Sequence, residues 1–420
     1  MTKYISTQIS GNALRRLDNI FPSRHRQSGH RVTSSPGFTI VELIVVIVVI
    51  AILAVITLVA YNGISSRAIA SSLQSDLTNA SQQLKLYYQL YSSYPTTMVG
   101  NCPTAPTADN TYCIKSSSGN TLTYSSNNGT TFALTNTNTN STAYGINDTS
   151  SPVALAQPSD CPTGFIPVPG SATYATAGFC VMKYAASQVG ATNVPTSVPS
   201  VQPWVNISQT TAIANSPNVA GCTGCHLITE AEYMTIAQNV LSVPSNWSGG
   251  SVGSGYIYSG HNDNAPANAL VPDPSDANGY AGETNTGGNQ KRTLTLTNGQ
   301  VIWDLAGNVW EWTNATIAGN QQPGLTGEVA YAWKQWNNGS LLMNGLPALS
   351  RPSSTGIAGI SGWSSTQGIG QLYSNYGDTG TRAFLRGGAW GNGGYAGVLA
   401  LFLAYGPSGA HSNVGFRVSR

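Results

Sequence analysis

Cys222, Thr223, Gly224, Cys225 and His226 form a C-x-x-C-H run. Those residue types at that spacing attach a c-type haem, hold zinc through thiolates, or close a small disulfide. In an exported chain the disulfide is the expected state, and no cofactor is expected. Cys161, Cys180, Cys222 and Cys225 then allow three pairings, among which spacing does not choose. Asp263, Asp273 and Asp276 lie in HNDNAPANALVPDPSD, an oxygen-rich loop that could take calcium, although its spacing fits no fixed calcium loop. His226, His261 and His411 lack H-x-x-x-H spacing, so no resident metal centre is expected. Three more charged groups sit where charge is expensive. Glu42 interrupts an apolar run, which costs about 2.5 kcal/mol or more without a partner. Arg386 and Arg417 stand in apolar surroundings near the end of the chain, and Glu311 is their natural partner.

The elements that must position these groups begin with a membrane segment. Phe38 to Ala60 is apolar apart from Glu42, long enough at about 1.5 Å per residue to cross a bilayer core of roughly 30 Å. Before it, Lys3, Arg15, Arg16, Arg24, Arg26 and Arg31 stand against Asp18 alone, a charge of +5. By the positive-inside rule that end is cytoplasmic and everything after residue 61 is outside. The whole chain carries +2, so the remainder is −3. No strong basic field is left to hold nucleic acid. Only 8% of the 420 residues are charged, and Ser, Thr, Asn and Gly supply the polar surface instead.

Gly37 followed by Phe38-Thr-Ile-Val-Glu42-Leu resembles the type IV prepilin signal. The resemblance implies cleavage after Gly37 by a prepilin peptidase, N-methylation of Phe38, and Glu42 as the carboxylate that pairs with a neighbouring pilin subunit's terminal amine. Residues 1–37 would be the leader and 38–94 a transmembrane and pilin helix. Ile64, Ala68, Leu73, Leu77, Ala80, Leu84, Tyr87 and Tyr91 recur at helical spacing up to Pro95. Residues 95–157 read as a small β head with strands at 121–124, 131–134 and 143–146, and with Cys102 joined to Cys113.

From residue 158 to 420 the composition changes, and all nine tryptophans lie there. VIWDLAGNVWEW reads as two strands around the turn at Gly307-Asn308, with Trp303, Asp304, Trp310, Glu311 and Trp312 as scaffold residues. FLRGGAW and VGFRVSR, carrying Arg386 and Arg417, read as two further strands. In the order FIPVPG, FCVMKY, HLITEAEYMTIA, WDLAGNVWEW, RGGAW and GFR, these pieces resemble the formylglycine-generating, sulfatase-modifying family. That implies an α+β chain ending in a C-type-lectin-like domain. Within that resemblance the flanks of His226 are a strand and a helix entrance, with Thr229 as N-cap and Glu230 and Glu232 in the first turn. The enzymes of that family use paired cysteines and copper between RGG and GFR. No cysteine lies between Arg386 and Arg417. The chain is therefore not expected to be an enzyme.

That segment instead reads AWGNGGYAGVLALFLAYGPSGAHSN. It resembles the variable region of retroelement-diversified proteins of this fold. Ala389, Gly391, Asn392, Tyr395, Phe402, Ala404, Tyr405, Gly409, His411 and Asn413 are residues reachable from an Asn codon at its first two bases. With Trp390, which also belongs to the frame after RGG, they are the expected ligand-binding set. Tyr and Phe supply rigid contact area while Ser, Gly and Asn supply adaptable hydrogen bonds. The expectation is a pilin-like subunit exposed on the cell surface, anchored in the membrane, binding an extracellular protein or glycan without covalent chemistry. The alternatives are a membrane-anchored oxidoreductase of the formylglycine-generating type and a purely structural minor pilin.

Overall fold

The computed structural model describes residues 39–263, 270–271, 284–285, 290–352 and 364–420. Gly37, Phe38, Asp273 and Asp276 lie outside them. The chain divides into two compact units, Met1–Tyr61 and Asn62–Arg420. The first helix, α1, runs Ile40–Tyr91. At its start Thr39 Oγ1 accepts from the Glu42 backbone N–H while Glu42 Oε2 accepts from that of Thr39, a reciprocal cap. Its side chains from Ile40 to Thr57 are exposed, and this stretch is long and apolar enough to cross a membrane. The helix stops three residues short of the expected Tyr94. Ser92 turns left-handed at φ 55°, and its N–H caps the Tyr88 carbonyl at 2.8 Å.

In the second unit α1 buries Leu73, Leu77, Ala80, Leu84 and Tyr87, which alternate by four and three residues on one face. Ile64 and Ala68 share the spacing but are exposed, Ile64 by 69%. The buried face meets an antiparallel sheet of β1 (Thr121–Ser126), β2 (Phe132–Asn138), β3 (Ser141–Asn147) and β4 (Val153–Ala154), in that order. Leu122, Phe132, Leu134 and Ile146 fill the space between. Each large apolar side chain so covered is worth roughly 1.5–3 kcal/mol. Asp76 fixes the register: its carboxylate accepts from Ser117 N–H and Oγ and from Asn120 and Asn136 amides. Cys102 is bonded to Cys113.

Further along the chain are β5 (Phe165–Val168), β6 (Phe179–Met182), α2 (Gln209–Asn215), β7 (His226–Leu227) and α3 (Glu230–Leu241). They are followed by β8 (Thr293–Thr295), β9 (Val301–Trp303), β10 (Trp310–Ile317), β11 (Ala332–Lys334) and β12 (Leu372–Ser374). Last come β13 (Arg382–Gly387), β14 (Gly397–Phe402), β15 (Val414–Phe416) and β16 (Val418–Ser419). A four-stranded sheet has the order β7-β16-β6-β5, and a six-stranded sheet the order β11-β12-β14-β13-β10-β15. The two strands of VIWDLAGNVWEW do not pair with each other: β9 pairs with β8, while β10 lies between β13 and β15. Between them Gly307 has φ 79°, and a Cβ there would stand 2.7 Å from the His261 carbonyl oxygen, so only glycine fits. Cys161 is joined to Cys180, and Cys222 to Cys225.

Candidate functional site

Strand alternation sends Phe384, Arg386, Leu399 and Leu401 to one face of the six-stranded sheet, and Trp310, Trp312, Leu385 and Phe416 to the other. On the first face α3 packs with Tyr233, Met234 and Ile236. Arg386 and Glu311 are Cα partners in neighbouring strands, yet they do not pair with each other. Both oxygens of Glu311 are taken by Arg417, whose Nε and Nη2 donate over 3.1 and 2.7 Å. Arg386 instead binds Glu230 in the first turn of α3, and it also donates to the Ser350 carbonyl at 2.6 Å. Glu311 thus serves only one of its two expected partners, because Glu230 reaches the sheet from the helix. Burial pushes the Glu311 carboxyl above its ordinary value, and the Arg417 charge opposes that push. These ion pairs are scaffold: Arg386 and Arg417 are fully buried and present nothing to a ligand.

The second face carries one transverse row through all six strands. Trp333, Tyr373, Phe402, Leu385, Trp312 and Phe416 are successive register partners. Its β13-β10-β15 half is sealed. Trp312 and Phe416 are buried, the Trp312 indole N–H donates to the Ile207 carbonyl, and Gln209 of α2 donates to the Thr313 and Ala315 carbonyls. The β11-β12-β14 half emerges at the surface, where Trp333, Tyr373 and Phe402 are half-buried. Neighbouring strands lie about 4.8 Å apart, and the rings follow that spacing. Trp333 and Tyr373 have centroids 4.8 Å apart, Tyr373 and Phe402 4.7 Å.

The chain after β13 extends the exposed half of this row at both ends. Tyr395, on a short 3-10 turn Gly393–Tyr395, lies parallel to Trp333 at 4.6 Å and 3°. Tyr405 meets Phe402 at 4.8 Å and stacks on His411 at 3.6 Å. The result is a continuous stripe, Tyr395-Trp333-Tyr373-Phe402-Tyr405-His411, backed by the buried Trp310, which touches both Phe402 and Trp333. Tyr395 is 42% exposed. Beside the stripe, Tyr331 stacks on Tyr373 and donates to Asp378 at 2.7 Å. Arg382 grips the same carboxylate with Nε and Nη2. The Arg382 hydrogen bond holds the Asp378 carboxyl far below its ordinary value. Lys334, on the opposite side of β11 from Trp333, is buried against Glu328 at 2.7 Å. These charges neutralise one another, so the stripe offers aromatic faces and neutral hydroxyls.

Of the residues expected from sequence, Tyr395, Phe402, Tyr405 and His411 are brought together. Ala389 is not a surface residue: at 1% exposed it packs in the core behind the sheet. The cause is the Gly387-Gly388 pair, with φ 89° and 91°, which folds the chain so tightly that a Cβ on Gly388 would stand 2.5 Å from the Ala396 Cβ. Trp390 also leans on that core, and its N–H donates to the Asn308 carbonyl. The Asn392 side chain is used internally, accepting from Ala389 N–H at 2.7 Å. Asn413 receives the Trp310 N–H on its carbonyl, and Gly409 closes a turn onto Gly406. Gly391 is exposed and Ala404 half-buried. Sequence reasoning missed Tyr331, Trp333 and Tyr373. Their signal was alternation, an aromatic on either side of Ala332 and a lone ring between Leu372 and Ser374. Asp263 lies 3.2 Å from His261. Among the described residues no group of three His, Cys, Asp or Glu could hold a metal ion.

Residues 136–420, about two thirds of the chain, match the sulfatase-modifying factor enzyme 1-like domain family. The match begins inside β2, ahead of the composition change at residue 158. No curated protein matches the chain. Among solved structures it is similar to the Major Tropism Determinant M1 variant, at 15% identity over 66% of this chain and 62% of that one, with a TM-score of 0.30. The chain thus spans about three fifths of that structure's length. It is also similar to variable protein 1 of Treponema denticola, at 17% identity over 68% and 98%, with a TM-score of 0.26. A third is PvdO from Pseudomonas aeruginosa, at 15% identity over 60% and 82%, with a TM-score of 0.24. At these scores the likeness identifies no function.

Proposed function

The chain belongs to the sulfatase-modifying factor enzyme 1-like family, and from that scaffold we propose that it is a pilin-like surface receptor or adhesin that binds its ligand without covalent chemistry. The observation that carries this reading is the half-exposed aromatic stripe from Tyr395 to His411. Large rings already stacked on one another lose little side-chain freedom on binding, and they bury much apolar area against a partner. The paired charges around them add no strong preference for acid or base. The family's copper chemistry needs cysteine thiolates between Arg386 and Arg417, and that interval has none. All six cysteines are in disulfides.

The ligand is an extracellular protein or glycan, reached from a membrane-anchored stalk. Cleavage after Gly37, methylation of Phe38 and subunit pairing through Glu42 would build that stalk. The exposed apolar run from Ile40 to Thr57 supports it, since such a surface is unstable in water and needs lipid or other subunits around it. The variable segment is the product of retroelement diversification in this reading. Comparing paired gene copies from close relatives tests that directly. Changes concentrated at Tyr395, Phe402, Ala404, Tyr405, Gly409, His411 and Asn413 support it, and changes spread evenly over the domain contradict it. The binding claim itself is tested by probing glycan and protein arrays with the intact chain.

A further inference from the structure

Six arginines lie beyond residue 158, and five of them face a carboxylate: Arg292, Arg382, Arg386, Arg417 and Arg420. Arg351 does not. Among the described residues it has neither an ion pair nor a hydrogen bond, and burial alone lowers its pKa. A guanidinium drawn partly out of water without a counter-charge is unfavourable until an anion completes the pair.

The scaffold holds Arg351 in that position. The 3-10 turn Ala348–Ser350 precedes it, and the buried Ser350 gives its carbonyl to Arg386 at 2.6 Å. Arg351 thereby lines a pocket together with the β1–β2 hairpin and the loop between β5 and β6. From that loop comes Tyr174, which is 5% exposed and whose hydroxyl has no hydrogen-bond partner. Burial pushes its pKa well above the ordinary value, so the hydroxyl keeps its proton and can donate. The Asn127 amide and the Thr131 and Thr173 hydroxyls line the same pocket and are equally uncommitted, and no acidic side chain does so. No ring of the aromatic stripe reaches it.

We propose that this pocket is a carboxylate-binding subsite, in which Arg351 supplies the charge and Tyr174 a hydroxyl donor. The guanidinium fork matches the two oxygens of a carboxylate. The cavity measures about 20 Å³, and a water needs roughly 10–15 Å³, so a carboxylate enters end-on and a sugar ring does not fit. Ser125 on the rim is exposed, which leaves the mouth open to solvent. The carboxylate belongs to a free short-chain acid or to the last residue of a polypeptide.

The test titrates the full chain in detergent, at constant ionic strength, with propionate, with acetyl-trialanine and with acetyl-trialanine amide, followed by calorimetry. At least one of the two acids should bind with a Kd below about 10 mM, and the amide should not bind. Propionate alone binding assigns a free acid, and tighter binding of acetyl-trialanine assigns a chain end. Arg351→Gln should weaken binding at least about tenfold, and Tyr174→Phe, which removes only the hydroxyl, about three- to tenfold. The unfolding midpoint of Arg351→Gln should not fall, because no internal partner is lost. Failure of both acids to bind, equal binding of the amide, displacement of the acid by equimolar chloride, or unchanged binding by Arg351→Gln would each overturn the proposal. A lower midpoint for Arg351→Gln would overturn it too, by making the arginine structural.

Discussion

If the stripe is organised before any ligand arrives, Trp333 and Tyr395 must be energetically coupled in the free protein. Their rings are parallel within 3° at 4.6 Å, and Tyr395 sits on the outer side, 42% exposed. Tyr395→Ala removes that stack, worth roughly 0.5–1.5 kcal/mol, and the cover of a ring that is only about half buried, roughly another 1 kcal/mol. Trp333→Ala removes the same stack, the one on Tyr373 and part of the cover over Trp310, a loss of about 3 kcal/mol. Since both variants lose the Trp333–Tyr395 term, the double variant should cost less than the two single losses together, by about 1 kcal/mol. Urea unfolding of the unit Asn62–Arg420, followed by circular dichroism, measures all four species. Far-ultraviolet signal is preferable to fluorescence, because one variant removes a tryptophan. Additivity within about 0.3 kcal/mol would refute the reasoning, since rings that do not feel each other cannot form a preorganised platform.

Removing Glu230 leaves Arg386 buried without its carboxylate, so Glu230→Ala should cost about 3–5 kcal/mol, read as loss of soluble folded protein or a lower unfolding midpoint. His226 has its pKa raised by Glu232, so the histidine's contribution to stability is fully present below about pH 6.5, the ordinary value, and is lost as pH rises through the higher folded value. Unfolding midpoints of wild type should fall across that window, and His226→Gln should flatten the slope. In the surface-displayed protein, mass spectrometry should find N-methylated Phe38 as the first residue. Glu42→Leu should be cleaved normally but fail to enter pili or other assemblies.

The C-terminal scaffold was largely legible because its signals are local. Trp303, Trp310 and Trp312 flank a turn whose glycine has no substitute, and Thr229 and Glu232 spell a capping box that the structure contains. The partner of Arg386 was not legible: Glu230 lies 156 residues away and reads locally as an ordinary first-turn acid. The variable segment pointed to four of the six rings of the aromatic stripe and no more. Trp333 and Tyr373 enter it only because β11 and β12 are laid beside β14, a pairing that alternation within either strand does not encode. Ala389 failed in the opposite direction. Its reachability from an Asn codon, in a segment that resembles a variable region, suggested surface, while the left-handed Gly387-Gly388 pair turns it into the core.

The most direct measurement is an array of extracellular proteins and glycans probed with wild type and with a Tyr395→Ala/Tyr405→Ala variant, at equal folded fraction. Tyr395 ends the stripe and Tyr405 stands one ring from its other end, away from the sealed half of the sheet. The account predicts a small set of specific ligands for wild type, each weakened at least thirtyfold in the variant, about 2 kcal/mol for loss of two anchors. A variant that keeps the same ligands at the same affinity would contradict it, and so would a wild-type chain that binds nothing.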